Sequence, residues 1–121
     1  MTRILVVDDE ALIRDGLESI LGDEGYEVDT APDGRAALAL IMANPPDVVI
    51  SDVMMPHLDG LELRRQVQVQ FPSLPVILMS AVTHNVTWQK NLPAHTAFLA
   101  KPFDLEVLLE HVAGFTRPDG A

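Results

Sequence analysis

Four residue types at four points of this chain are suited to handling a phosphoryl group. Asp8, Asp9 and Glu10 follow the apolar run Ile4-Leu5-Val6-Val7. Asp52 follows Val48-Val49-Ile50-Ser51, Ser80 follows Val76-Ile77-Leu78-Met79, and Lys101 follows Ala97-Phe98-Leu99-Ala100. Adjacent carboxylates repel one another unless a cation lies between them. Mg²⁺ takes oxygen ligands, keeps several waters, and is usually held by one or two carboxylates together with phosphate oxygen. A carboxylate such as that of Asp52 can attack phosphorus and form an aspartyl phosphate. Phosphoryl transfer asks a protein mainly for positioning and for neutralising charge on the equatorial oxygens. Lys101 offers a compact positive charge for that task, and Ser80 a hydroxyl donor.

Each of these residues has an ordinary reading alone. Asp8 to Glu10 could be a solvated loop that caps the next helix, Asp52 and Ser80 turn residues, and Lys101 a surface lysine. The joint reading depends on the elements beneath them. The apolar runs at 4–7, 48–50, 76–79 and 97–100 are short and continuous, which fits strands covered on both faces in a parallel sheet. A weaker, alternating run at 26–30 reads as an edge strand. In an open parallel sheet, ligands sit beyond the carboxyl ends of the strands. Four such ends, if neighbours, bring the three Asp carboxylates, the hydroxyl and the ammonium to one place.

Helical patterns separate the strands. Ile13, Leu17, Ile20 and Leu21 share one helix face, and Gly22 or Gly25 can end that helix. Asp33-Gly34 opens a second helix with Ala37, Leu40 and Ile41 inward, stopped by Asn44-Pro45-Pro46. Asp59 caps a third carrying Leu63 and Val67, which ends before Pro72. Asp104 caps the last, with Leu105, Leu108, Leu109 and Val112 inward. The stretch 83–92 is the poorest helix, with Val86, Trp88 and Leu92 among polar residues and Pro93 behind it. The pattern is α/β, a (βα)5 doubly wound five-stranded parallel sheet with crossovers long enough for parallel pairing.

The 121 residues fit one domain, assigned to 1–115, with 116–121 as a tail or the start of a linker. Eight basic against 18 acidic residues give a net charge of −10. Such a surface disfavours direct contact with nucleic acid or anionic lipid. The absence of cysteine excludes disulfides and thiolate metal sites. No apolar run approaches the ~18 residues of a membrane span, and no secretory leader precedes the first strand, so a cytoplasmic protein is expected. His57, His84, His95 and His111 lack metal-ligand spacing and read as surface residues. Met42, Met54, Met55 and Met79 read as packing residues. Gly34 and Gly60 read as turn or cap chemistry, and Gly16, Gly22 and Gly25 do not match a phosphate-cradling loop.

Taken in order, Ile4-Leu5-Val6-Val7-Asp8-Asp9-Glu10, Asp52-Val53-Met54-Met55-Pro56 with Asp59-Gly60, Ser80-Ala81 and Lys101-Pro102-Phe103 resemble the receiver domain of two-component response regulators. The resemblance covers about residues 3–113. It implies a flavodoxin-like strand order 2-1-3-4-5 and a phosphorylation-activated signalling switch rather than an enzyme with a separate substrate. It implies Asp52 as phosphoacceptor, and Mg²⁺ held by Asp8, Asp9, Asp52 and the backbone carbonyl of Met54. Ser80 would be the switch hydroxyl, Lys101 the phosphoryl contact with a cis Lys101-Pro102 peptide, and Phe98 the rotating aromatic. The donor would be a phosphohistidine on a sensor histidine kinase or phosphotransfer protein. The output would pass through the fourth helix, fifth strand and fifth helix, to an effector domain or a homodimer partner.

The chain departs from the family pattern in places. Leu92-Pro93-Ala94-His95-Thr96 stands where a Gly-Ala usually precedes the fifth strand, and Phe98 lacks the hydroxyl of a tyrosine. Met54 and Val82, two residues after the acceptor and the switch hydroxyl, are apolar. They offer no group to orient an attacking water, which implies slow self-dephosphorylation. Two rival readings use the same residues. One is a binding module that signals without phosphorylation, against which all the chemical residues are present. The other is a small phosphatase of the haloacid dehalogenase type, which calls for Asp-x-Asp at the first strand, whereas Asp8 is followed two residues later by Glu10. The chain also has no room for that family's cap domain.

Overall fold

The structure, a computed structural model, describes residues 2–55, 58–80, 95–101 and 104–116. The predicted helix at 83–92, Val82, the Lys101-Pro102 peptide, Phe103, His57, His84 and the tail 117–121 lie outside the described residues. Strands β1 (Arg3–Val7), β2 (Glu27–Ala31), β3 (Val48–Asp52), β4 (Val76–Ser80) and β5 (Thr96–Ala100) form one sheet in the order β2-β1-β3-β4-β5. Every neighbouring pair is parallel. Helices α1 (Ala11–Asp23), α2 (Gly34–Ala43), α3 (Gly60–Gln70) and α4 (Leu105–Thr116) complete the described elements. The last of these is the helix expected after the fifth strand.

The continuous apolar strands are explained by two cores, one on each face of the sheet. Ile4, Val6, Val48, Ile50, Ile77, Met79, Ala97 and Leu99 pack with Leu17 and Leu21 of α1 and Leu108 and Val112 of α4. The alternate residues Leu5, Val7, Val49, Val76 and Leu78 pack with Ala37 and Ile41 of α2 and Leu63 and Val67 of α3. Because successive strand residues face opposite ways, both sets must be apolar. The edge strand β2 alternates as expected, with Glu27 and Asp29 exposed and Val28 and Thr30 half-buried.

Local signals set the helix ends. The Asp33 side chain accepts the Ala36 N–H at 2.8 Å, and Asp59 accepts Glu62 N–H at 2.8 Å. Asp104 Oδ1 accepts the Glu106 N–H at 2.8 Å. Helix α1 ends in a Schellman arrangement: Gly25, at φ 95°, donates to Gly22 and Tyr26 donates to Leu21. Gly25 therefore ends this helix, and Gly22 is its penultimate residue. Four apolar assignments fail: Met42 and Met54, read as packing residues, are 49% and 65% exposed, and two helix residues read as inward also face out. Leu40 is 44% exposed, because it lies about 100° around the helix from Ile41. Leu105, at the first position of α4, is also exposed.

The amino ends of the strands are joined by Arg3. Its guanidinium pairs with Asp29 at 2.8 Å and donates to the carbonyls of Asn44 and Pro45, while its N–H donates to Asp47 Oδ2 at 2.8 Å. Just before β5, His95 takes φ 64°, and its carbonyl accepts the Val76 N–H at 2.9 Å. A left-handed backbone costs an L-residue with a Cβ roughly 1–2 kcal/mol, and glycine returns part of that gain through its freer unfolded chain. His95→Gly is expected to stabilise the protein by up to about 1 kcal/mol. The check is a higher urea midpoint at unchanged slope.

Candidate functional site

Strand alternation delivers the charged residues to the carboxyl edge of the sheet. Val6 and Ile50 face the α1/α4 core, and Asp8 and Asp52 are the next residues of that same set. Ala97 and Leu99 face it too, and Lys101 continues their series. Strands β3 and β5 are separated by β4, so their backbones stand about 10 Å apart. A lysine stem is long enough to cross that gap. Lys101 Nζ lies 3.0 Å from Asp8 Oδ2 and 3.2 Å from Asp52 Oδ2. One ammonium therefore bridges carboxylates from the first and third strands. The Lys101 N–H also donates to the Ser80 carbonyl at 2.7 Å, which places Lys101 directly beyond the end of β4.

The two acids that Lys101 bridges are buried. Asp8 is fully buried and Asp52 is 6% exposed. Burial pushes the Asp52 carboxyl above its ordinary value of 3.8. Lys101 pulls it down and Asp8 adds to the rise, and burial prevails. For Lys101, burial opposes the charge, but the Asp8 and Asp52 carboxylates outweigh it and hold the ammonium above its ordinary 10.5. Asp52 Oδ1 accepts the Met54 N–H at 3.2 Å, which ties the following loop to the acid.

Asp8, Asp9 and Glu10 place carboxylate oxygens within 4.8 Å of one another, with Asp8 buried and the other two exposed. That donor set, all oxygen and all acidic, suits a hard divalent cation such as Mg²⁺. Asp52 stands outside this tight group and is linked to it through Lys101. Glu10, adjacent to the paired aspartates in sequence, thus sits with them in space. Ser80 is fully buried at the end of β4 and pairs in register with Ala100. Phe98 pairs with Leu78 and packs against the α2/α3 core, on the face that Ser80 shares. The Met54 side chain is 65% exposed.

One contributor, Arg14, escaped the sequence reading, and for Gly60 the physical reason did. Arg14 Nη1 donates to the Asp8 carbonyl at 2.7 Å. Gly60 donates its N–H to the Val53 carbonyl at 2.9 Å, and a Cβ there would collide with the Asp52 carbonyl and lie 2.9 Å from Val53 Cα. Gly34 is likewise pressed against Leu58. Both glycines follow capping aspartates as expected, but close backbone approach is what excludes a larger residue. Gly60→Ala should destabilise the protein by about 1–3 kcal/mol and displace the end of β3 that carries Asp52. A urea titration checks the first effect, and loss of phosphodonor labelling at full occupancy of the folded state checks the second.

Comparisons with known proteins identify the family and the fold. The family model described as response regulator receiver domain matches residues 4–113. Response regulator MprA of Mycolicibacterium vanbaalenii is 43% identical over 116 residues, covering 95% of this chain and 50% of that protein. MprA of Mycobacterium leprae is 39% identical over 123 residues, covering 98% of this chain and 54% of that protein. The chain thus spans about half the length of the curated relatives it matches. Among solved structures, the Francisella response regulator 1452 receiver domain superposes with a TM-score of 0.86 at 32% identity, covering 95% of this chain and 96% of that one. Response regulator TrrA of Thermotoga maritima, in complex with Mg²⁺ and BeF, gives 0.85 at 36% identity, covering 95% and 99%. The chain belongs to the response regulator receiver domain family, the phosphorylation switches of two-component signalling.

Proposed function

We propose that Asp52 is the phosphoacceptor of this receiver and that its donor is a phosphohistidine on a sensor histidine kinase or phosphotransfer protein. The observation that carries this is the Lys101 ammonium bonded to both Asp8 and Asp52 at the carboxyl edge of the sheet. An Asp52 carboxylate oxygen attacks phosphorus, the P–N bond of the donor breaks, and imidazole leaves. Lys101 then has one more anionic partner, the phosphoryl oxygens, and holds them against the acceptor strand. Asp8 and Asp9, with Asp52 and the Met54 carbonyl, are the residues proposed to hold Mg²⁺, and Glu10 lies beside them. Mg²⁺ when bound neutralises charge on the transferring group.

Ser80 is the proposed switch. Its hydroxyl gains a phosphoryl acceptor only in the modified state, and only such a differential contact can shift a conformational equilibrium. Phe98, half-buried on the same face, is the side chain proposed to respond. The output face is that of the fifth strand, the α4 helix and the segment 83–92, read by an effector domain or a second copy of the chain. The receiver is assigned to 1–115, and 116–121 to a tail or linker. Among the described residues no helix is long and apolar enough to cross a membrane, and cytoplasmic operation is proposed for the protein.

Labelling with a small acyl phosphate and Mg²⁺, then reduction of the acyl phosphate and peptide mapping, tests the assignment. The label is expected on Asp52, and a label on any other residue contradicts it. The exposed thioether of Met54 gives an attacking water no hydrogen-bond partner of carboxylate or amide strength, so slow loss of the label is expected. A half-life as short as that of the fastest members of the family contradicts that expectation.

A further inference from the structure

We infer that Arg14 is a positioning residue for the acidic site, fixing the peptide that carries Asp8 and Asp9 so that their carboxylates share one point. The inference rests on the Mg²⁺ reading above. Strand β1 ends at Val7, and the Asp8 N–H still reaches across to the Ala31 carbonyl at 3.2 Å. The Asp8 carbonyl is the first one past the ladder. Asp8 is fully buried, and a backbone carbonyl there needs a donor. Arg14, at the fourth position of α1, supplies one from its guanidinium at 2.7 Å. A charged donor makes a stronger bond than a neutral one.

The loop needs such a tether. Three carboxylate oxygens within 4.8 Å repel one another and would spread if the backbone were free. Helix α1 holds the far end of the loop, where the Glu10 carbonyl accepts the Ile13 and Arg14 N–H groups, but Glu10 makes no side-chain cap bond. The loop is held at Asp8 from two sides. The Glu10 N–H donates to Asp8 Oδ1 at 2.9 Å, and Arg14 donates to the Asp8 carbonyl. Among the described residues Lys101 also contacts Asp8, and it binds the carboxylate at Oδ2. The two cations therefore do different work. Arg14 grips the peptide at its carbonyl, whereas Lys101 binds the Asp8 carboxylate itself.

Residues that orient metal ligands without touching the metal typically cost 10–100-fold in affinity when removed. Mg²⁺ is titrated calorimetrically into the whole chain as wild type, Arg14→Met, Arg14→Lys and Asp9→Asn. Urea midpoints are measured separately in EDTA. Arg14→Met is expected to weaken Mg²⁺ binding about tenfold or more, and Arg14→Lys to recover part of the loss. Should Arg14→Met fail to fold, Arg14→Gln, which keeps a neutral donor, is expected to weaken binding in the same direction. A lower urea midpoint with unchanged Mg²⁺ affinity would make Arg14 a stabilising residue only and overturn the inference. If wild type binds Mg²⁺, Asp9→Asn loses it and Arg14→Met matches wild type, the inference alone fails. A wild type that binds no Mg²⁺ overturns this inference and the metal assignment together.

Discussion

Asp52→Asn is expected to abolish labelling by any phosphodonor and, at the same time, to stabilise the metal-free protein at neutral pH. The loss of labelling follows from the chemistry, because an amide is no nucleophile toward phosphorus. The gain in stability follows from electrostatics. Burial raises the Asp52 pKa in the folded protein above its ordinary 3.8. A raised folded pKa means that the stability linked to this group is complete below the unfolded value and is lost as pH rises through the folded value. At neutral pH the ionised Asp52 therefore weighs against the fold, and asparagine removes that burden while Lys101 keeps its bond to Asp8. Urea midpoints in EDTA should favour the variant at pH 7.5, and the advantage should shrink as pH approaches 4. Mg²⁺ should then stabilise the wild type more than the variant, because the variant lacks one carboxylate of the site. A variant midpoint below wild type at pH 7.5 contradicts the electrostatic account.

Lys101→Ala acts in the opposite direction. It leaves the carboxylates of Asp8 and Asp52, both nearly inaccessible to water, without their shared cation. Breaking a buried ion pair by removing one partner costs about 3–5 kcal/mol, and a loss of that size is expected in EDTA. Added Mg²⁺ should restore part of it, since a divalent cation can neutralise the same acids. Phosphodonor labelling should fall by on the order of 10²–10³, the usual cost of removing one preorganised charge from a developing anion. The pH dependence separates this ammonium from a merely packed side chain. Its contribution in the wild type is complete below 10.5 and is lost as pH rises through the higher folded value. The variant should lack that alkaline decline, and an identical decline in both proteins would show that Lys101 is not its source.

The sheet and the main site residues were legible because one rule governs both. Strands buried on two faces are continuous apolar runs, and a charge ending such a run has to emerge at the sheet edge. Asp8, Asp52 and Lys101, which the structure brings together, were each marked in this way. The caps at Asp33, Asp59 and Asp104 were legible because a short polar side chain before an apolar helix has a local partner. What escaped depends on contacts between distant elements. Gly60 looks like a residue of a capped turn, and only the approach of α3 to the backbone of Asp52 shows why no side chain fits. Arg14 lies among ordinary helix residues, and no spacing rule connects it with a carbonyl six residues earlier. Leu40 was placed inward from its apolar character, and the tilt of the helix stripe toward Gly34, Ala37 and Ile41 leaves it half out.

The Arg3 cluster gives the two ends of the sheet different mechanical characters. At the amino end, one guanidinium and one amide join the first strand to Asp29, Asn44, Pro45 and Asp47, so elements far apart in the chain are riveted by bonds between unlike partners. At the other end, acids are crowded together and held by an amine from across the sheet. The molecule thus resembles a hand clamped at the wrist with its fingertips under tension. Chemistry that changes the charge at the fingertips can rearrange them against a fixed frame without loosening the palm.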